Sequence, residues 1–322
     1  RRPSGPLHAS GSVNPTETLV REEGGLIFRP FASNDEYQAC VDFQEETWGR
    51  GFSEKVPPAV LMIANRLGGL AAGAFNQDGE LQGFVFGLTG SVDGELVHWS
   101  DMLAVREGAR DLGLGTRLKA YQREILLSRG IREMRWTFDP LQGRNAHVNF
   151  SKLGIVSREY VENMYGLTGS PLHQGVGTDR LVASWSMASE RVASRLSGTN
   201  PPPLKARHAG VREVVSVREG ASPGGRPFME SMTEAFPSPG EVVLGLTDPL
   251  LFLPIPVDIE EIMRAQLPLA IRWREATREA FLHYLSRGYV IREFLRGPVL
   301  SSYLLALADE EAESDPAKRN QE

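Results

Sequence analysis

Several residues in this chain have the types and spacing to do chemistry together. The stretch Val105-Arg-Glu-Gly-Ala-Arg-Asp-Leu-Gly-Leu-Gly115 places Arg110, Gly113 and Gly115 in a turn between an alternating apolar run and an amphipathic one. Where a strand breaks into a glycine-rich turn and feeds a helix, backbone N–H groups at the helix's positive end lack intrahelical acceptors. Such a turn binds anions. Just before it, His98 and Asp101 are the groups able to take or relay a proton. Alternation puts Asp101, Leu103 and Val105 on one face of that run and His98, Ser100 and Met102 on the other, unless a bulge intervenes.

The elements that must position these residues follow from the hydrophobic pattern. Leu26 to Pro30 reads as a first strand, and Ser33 or Asn34 can cap a helix from Asp35 to Trp48. A second helix runs from Ala59 to Arg66. Ala71 to Asn76 and Leu81 to Thr89 make a hairpin joined at Asn76-Gln-Asp-Gly79. Glu95 to Val105 is the strand entering the turn, and Thr116 to Ser128 the helix leaving it. Arg132 to Phe138 is a strand stopped by Asp139-Pro140, Asn145 to Lys152 a short helix ended by Gly154, and Arg180 to Trp185 one more strand. This order is α/β with a mixed sheet, whose central unit is a parallel pair joined through the 116–128 helix.

On these residues the chain resembles the GNAT acyltransferases, the Gcn5-related N-acetyltransferase superfamily. Val105-x-Glu107-x-x-Arg110-x-x-Gly113-x-Gly115 has the spacing of the family's nucleotide loop, and Asn145-Ala146 with Phe150-Ser-Lys-Leu-Gly154 resembles its second cofactor motif. The resemblance covers roughly residues 26 to 187. More narrowly, Asp139-Pro-Leu, Asn163-Met-Tyr-Gly166, Thr178-Asp-Arg180 and Gly288-Tyr289 resemble a subgroup of predicted acyltransferases with a long C-terminal extension. The fold implied is a GNAT-like mixed, mostly antiparallel sheet with flanking helices, plus a C-terminal α/β extension.

The resemblance implies a bound acyl-coenzyme A. N–H groups around Leu112 to Thr116, including Leu114, would hold the pyrophosphate, with glycines at 113 and 115 permitting close approach and Arg110, beside Asp111, adding a phosphate contact. In the family the two parallel strands splay past the loop. Backbone groups of Met102, Leu103, Ala104 and Val105 would then bind the pantetheine arm, and Asn145, Asn149 and Phe150 would face the cofactor from the short helix.

Acyl transfer to an amine needs a base, a polarised carbonyl and a proton for the leaving thiolate. Asp101 and His98 are rival bases, each with a structural reading beside it: a hydrogen-bonded carboxylate and a packed strand histidine. A backbone N–H near Leu103 would polarise the carbonyl. Many relatives carry a proton-donating Tyr where this chain has Phe150, so that role is vacant or moved, and Tyr160 and Tyr165 lie just downstream. Tyr165 is the third catalytic candidate. Both tyrosines also suit half-buried packing. Asn145 suits a helix cap, and His147 the surface.

Composition narrows the classes. The 322 residues are 41% hydrophobic and 24% charged with net charge −6, an ordinary globular balance without the basic footprint of a nucleic-acid binder. One cysteine, Cys40, suits a reducing compartment and leaves no disulfide framework; it reads as a small buried hydrophobe. The histidines lack metal-ligand spacing, so no metal is expected. No run approaches the ~18 apolar residues of a membrane span, and no secretory signal is read at the start. A cytoplasmic protein is expected.

Residues 1–24 read as a disordered lead-in, 25–197 as the acyl-CoA-binding domain, 198–204 as a Pro-rich linker, 205–308 as a C-terminal α/β region completing the sheet or covering the acceptor site, and 309–322 as an acidic tail. In the C-terminal region, strands are expected at 211–218, 242–246, 250–255, 289–295 and 299–307. A helix from Pro268 to Arg287 has Leu269, Trp273, Thr277, Phe281 and Tyr284 on one face. Arg272, Arg274 and Arg278 lie off that stripe and, with Arg180, suit either a substrate-carboxylate clamp or a solvated face. The function expected is transfer from acetyl-CoA or another acyl-CoA to a small-molecule amine, amino-acid-like, with neither nucleic acid nor membrane as partner and a homodimer allowed for. N-succinyl transfer to amino acids and a non-catalytic coenzyme A sensor stand beside it.

Overall fold

The computed structural model describes residues 19–166, 176–199, 210–218 and 236–308, apart from the side chains of residues 110–112. The chain divides into two compact units, residues 1–87 with 102–125 and residues 88–101 with 126–322. Both mix helices with mostly antiparallel strands, the class expected from the sequence.

In the first unit β1 (Arg21–Glu23), β2 (Leu26–Pro30), α1 (Asn34–Trp48), α2 (Pro58–Arg66), β3 (Leu70–Phe75) and the start of β4 (Leu81–Val92) precede the end of β5 (Glu95–Val105) and α3 (Leu114–Ser128). β1 lies inside the expected lead-in: Arg21 to Glu23 fold back on Leu26 to Phe28 across Gly24 and Gly25, both at positive φ. Of the two expected caps, Ser33 serves, its Oγ accepting the Glu36 N–H at 3.3 Å. β3 reads Leu-Ala-Ala-Gly-Ala-Phe and is buried along its whole length. Its small side chains let helices pack on both faces. Ala71 and Phe75 meet Cys40, Phe43 and Leu61 from α1 and α2, while Ala72 and Ala74 meet Leu118, Tyr121 and Ile125 from α3.

In the second unit come β6 (Glu133–Phe138), α4 (Gly143–Ala146), β7 (Val156–Val161), β8 (Arg180–Ser186), α5 (Glu190–Leu196), β9 (Arg212–Glu213), β10 (Val215–Arg218) and β11 (Ser238–Val242). β12 (Leu250–Pro256), α6 (Ile259–Ala265), α7 (Leu267–Ser286), β13 (Tyr289–Leu295) and β14 (Leu300–Leu307) complete it. The sheet runs β5-β6-β8-β7-β13-β14-β12-β9. Among the described residues of this run, only β5 with β6 and β12 with β9 are parallel. Ile291 of β13 pairs with Ser157 of β7, so the C-terminal region continues a sheet begun before the Pro-rich stretch.

The sequence pattern missed β7 because exposed Arg158 and Glu159 interrupt alternation at a register shift between Ser157 and Glu159. The strand expected at 242–246 is instead β11, and beyond it the Tyr284 hydroxyl donates to Val243 O, drawing that segment onto α7. The short helix before Gly154 is α4 followed by a wider turn, His147 to Leu153, ended as expected by Gly154 at φ +75. No helix among the described residues is long and apolar enough to cross a membrane.

The core of this unit gathers Trp136, Phe150, Trp185, Trp273, Phe281 and Tyr303. Phe281 has no exposed surface, stacks on Tyr160 at 5.5 Å and meets Tyr303 edge-on at 5.3 Å. Phe281→Ala is expected to cost about 3–5 kcal/mol. Urea unfolding should show a lower midpoint with unchanged slope; a loss below about 1 kcal/mol would contradict this packing role.

Candidate active site

In the first unit, β5 ends and the chain makes one tight 3₁₀ turn, Glu107–Leu112, before Gly113 at φ +68 and the start of α3. Two residues earlier than expected, α3 begins at Leu114. A Cβ at Gly113 would meet no atom within 4 Å, so that side of the turn is open. Gly115 differs: a Cβ there would touch Leu103 Cδ2 at 3.5 Å and Val105 Cγ2 at 3.9 Å, so this glycine lets α3 pack on β5. Arg117 makes the first helical bond, to Gly113 O at 3.2 Å. The N–H groups of Leu114, Gly115 and Thr116 precede it and have no acceptor within the helix.

Neighbouring cations are already engaged. Arg106 pairs with Glu46 at 2.6 Å, and Arg117 with Glu23 at 3.2 Å. Burial pushes the Lys119 ammonium down to about 7. What the described residues of this turn offer an anion is backbone N–H groups and the positive end of the helix dipole. The side chains of Arg110, Asp111 and Leu112 lie outside the described residues.

In the second unit, the parallel ladder comprises three pairs, Val97↔Glu133, His98↔Met134 and Trp99↔Arg135. β5 nevertheless runs on to Val105 and β6 to Phe138. Two residues past the last pair stand Asp101 on β5 and Thr137 on β6, by alternation on the face that carries Trp99 and Arg135. A cavity of about 290 Å³ is lined by Leu88, Thr89, Gly90, Val92, Val97, Trp99 and Arg135. His98 is fully buried, its Nδ1 2.9 Å from Thr89 Oγ1, whereas Asp101 is exposed.

Tyr165 is 39% exposed, and its hydroxyl lies 3.0 Å from Thr137 Oγ1. The Arg180 guanidinium stands 5.2 Å over its ring. Thr137, Trp99 and Arg135 were missed in the sequence, because only the β5–β6 register reveals that they neighbour Asp101.

The other expected site residues have structural partners. Phe150 is fully buried against Phe138 and Tyr303. Asn149 Oδ1 accepts the Trp136 indole N–H at 3.3 Å. Asn145 is exposed within α4 and does not cap it, since Gln142 holds that place. His147 is half-buried rather than on the surface, and burial, Arg296 and Lys152 all push its pKa down.

No family model and no curated protein matches the chain. Similar solved structures include a chain of the NatC complex bound to Gag peptide and CoA, 12% identical over 50% of this chain and 98% of that one, TM-score 0.41. An aminoglycoside 6'-acetyltransferase type Ii is 19% identical over 51% and 98%, TM-score 0.40. A GNAT-family acetyltransferase from Streptococcus pneumoniae is 17% identical over 49% and 97%, TM-score 0.39. These likenesses describe resemblance only; the chemistry must come from this chain's own residues.

Two arginines read as a substrate clamp or a solvated face are neither. Arg274 is buried, and its Nη2 donates to both oxygens of Asp139 at 2.8 and 2.7 Å, while Nε donates to Val176 O. Arg278 grips Asp179 with Nε and Nη2, both at 2.8 Å. Carboxylates from the chain itself take the donors a substrate would need. Tyr160, a candidate proton donor, gives its hydroxyl to Asp179 at 2.5 Å, and burial pushes its pKa up.

Burial opposes ionisation of Asp179, but the Arg278 fork, the Tyr160 hydroxyl and the Asn163 N–H outweigh it and hold the carboxyl below its ordinary value. Such a group stabilises the fold above the unfolded carboxylate pKa of ~3.9, and the benefit disappears as pH falls through the depressed folded value. The stability difference between the native chain and Asp179→Asn should therefore stay constant from pH 8 to about 5 and narrow below about 4. Urea unfolding at each pH measures it; a difference undiminished at pH 3 would contradict the assignment. Phe150→Tyr should destabilise by about 1–3 kcal/mol, because its hydroxyl enters the fully buried hydrophobic core. An unchanged melting temperature would mean the site holds a polar partner.

Proposed function

We propose that this chain is an acyl-CoA-dependent N-acyltransferase of the GNAT superfamily, with acetyl-CoA as donor and a small amine as acceptor. The observation that carries this reading is the three-pair parallel ladder, just beyond which Asp101 on β5 and Thr137 on β6, with the Tyr165 hydroxyl on Thr137, come next along the two strands. The Gly113 turn into α3 supports it, offering a phosphate-sized set of backbone donors without committed side chains.

Coenzyme A would present the acyl group as a thioester. In this reading Gly113 to Thr116 hold the pyrophosphate and Met102 to Val105 the pantetheine arm, with a backbone N–H near Leu103 polarising the carbonyl. Asp101, exposed where buried His98 is not, takes the amine proton directly or through a water. Tyr165 protonates the departing sulfur in the role Phe150 cannot fill. Leu88, Val92, Val97 and Trp99 favour an acceptor with an apolar body, and Arg135, half-exposed and paired through Nε with Glu133 at 3.4 Å, adds a cation at its edge. An amino-acid-like acceptor fits this better than it fits Arg274 or Arg278.

Thermal shift with coenzyme A, followed by thiol release from acetyl-CoA and succinyl-CoA across a panel of amines, tests the reading. Coenzyme A should raise the melting temperature, and Gly113→Val should abolish that shift. Asp101→Asn and Tyr165→Phe should each lower kcat by about 10²-fold while keeping the shift. Stabilisation without turnover would favour a sensor. A folded protein that coenzyme A does not stabilise would overturn the proposal.

A further inference from the structure

Tyr165 lies on a segment without regular structure, yet the backbone around it is bonded at almost every step. The Tyr165 N–H donates to Thr178 Oγ1 at 3.3 Å, and that hydroxyl donates to Gly166 O at 2.8 Å. Asn163 sits at φ +42, a left-handed conformation that asparagine tolerates better than most residues. Its N–H donates to Asp179 Oδ1 at 3.0 Å, and its own Oδ1 accepts the Thr178 N–H at 3.3 Å. Thr178 and Asp179 are completely buried.

This knot is closed by α7. Arg278 binds both oxygens of Asp179 in a parallel fork, the geometry that fixes direction as well as distance. One helical turn earlier, Arg274 binds Asp139, two residues beyond Thr137 on the same strand end. The two hydroxyls that meet at 3.0 Å, on Tyr165 and Thr137, are thus each backed by a carboxylate held from one helix. Buried pairs of this kind are poor stabilisers relative to apolar contacts.

We propose that Arg278, seconded by Arg274, is a positioning residue for Tyr165: α7 of the C-terminal region sets the tyrosine hydroxyl through Asp179 and Asn163. The proposal rests on Tyr165 being the proton donor of the reaction inferred above. It makes the C-terminal region part of the catalytic apparatus.

The test compares Arg278→Met, Arg278→Lys and a control, Arg195→Met, in the full chain. Arg195 pairs with buried Glu293 at 2.6 Å in the same unit, without contact to the Tyr165 knot. Arg278→Met should lower kcat at least about tenfold with KM for acyl-CoA nearly unchanged. Arg278→Lys, a point charge without a fork, should fall between, and serves if the methionine variant does not fold. Arg195→Met should lose stability yet keep kcat within about twofold. In a Tyr165→Phe background Arg278→Met should cost no more than about twofold further. Equal kcat losses in the Arg278 and Arg195 variants, or full additivity with Tyr165→Phe, would overturn the proposal. Hydrogen exchange separates its failure from that of the proposed reaction. The amides of Asn163, Tyr165 and Thr178 should lose protection in Arg278→Met even if no acceptor is found, and retained protection would overturn the positioning role by itself.

Discussion

The constraint on which the rest depends is that β5 and β6 run parallel but pair over only three residues. Parallel strands cannot be joined by a tight turn and need a crossover, here the turn at 107–113 and α3. The end of β5 is therefore obliged to become a helix start, and Gly113 supplies the left-handed residue that makes the corner. Where the ladder stops after Trp99↔Arg135, Asp101 and Thr137 are the next residues on the same face of the two strands.

Burial on both faces sets the second condition. β3 could not accept α1 and α2 on one side and α3 on the other without Ala71, Ala72, Gly73 and Ala74; a Cβ on Gly73 would come within 2.4 Å of Leu81 Cδ1. In the second unit the covering helix is α7, and it brings charge into the interior. Asp179 is acceptable there only because it receives four donors, from Arg278 twice, Tyr160 and Asn163. Each missing donor would leave a buried charge short of partners, so the network tolerates little rearrangement.

The parts of this arrangement legible in the sequence are those encoded locally. The Arg-x-x-Gly-x-Gly turn, the alternation that buries His98 and exposes Asp101, Ser33 as a helix cap and Gly154 as a helix stop all follow from neighbours a few residues apart. The departure at Phe150 was also readable, since a phenylalanine cannot donate a proton. What escaped was encoded across distance. Asp179 and Arg278 are 99 positions apart, Asp139 and Arg274 135, and each alone looks like an ordinary turn or surface residue. Asn149 had the right type for a ligand contact, but its commitment to Trp136 depends on strand and helix meeting in the core. Arg274 is buried although α7 keeps a solvated stripe at Pro268, Arg272, Glu275, Glu279, Leu282 and Ser286, because its guanidinium is taken up by Asp139 and Val176 O.

Phe150 ties these threads together. Its ring packs against Phe138 and Tyr303, so this position belongs to the core and offers no proton donor. A donor brought in from a loop starts with a disadvantage, because a loop residue samples many orientations, and general-acid catalysis depends on hydrogen-bond geometry. An apolar contact would stabilise such a loop without fixing its direction, whereas an arginine fork on a buried carboxylate fixes both. On this reading the cost of desolvating Asp179 and Arg278 is offset by orientation rather than by stability. What α7 supplies is direction: a side chain on a turn, such as Tyr165, is held by a helix far from it in sequence.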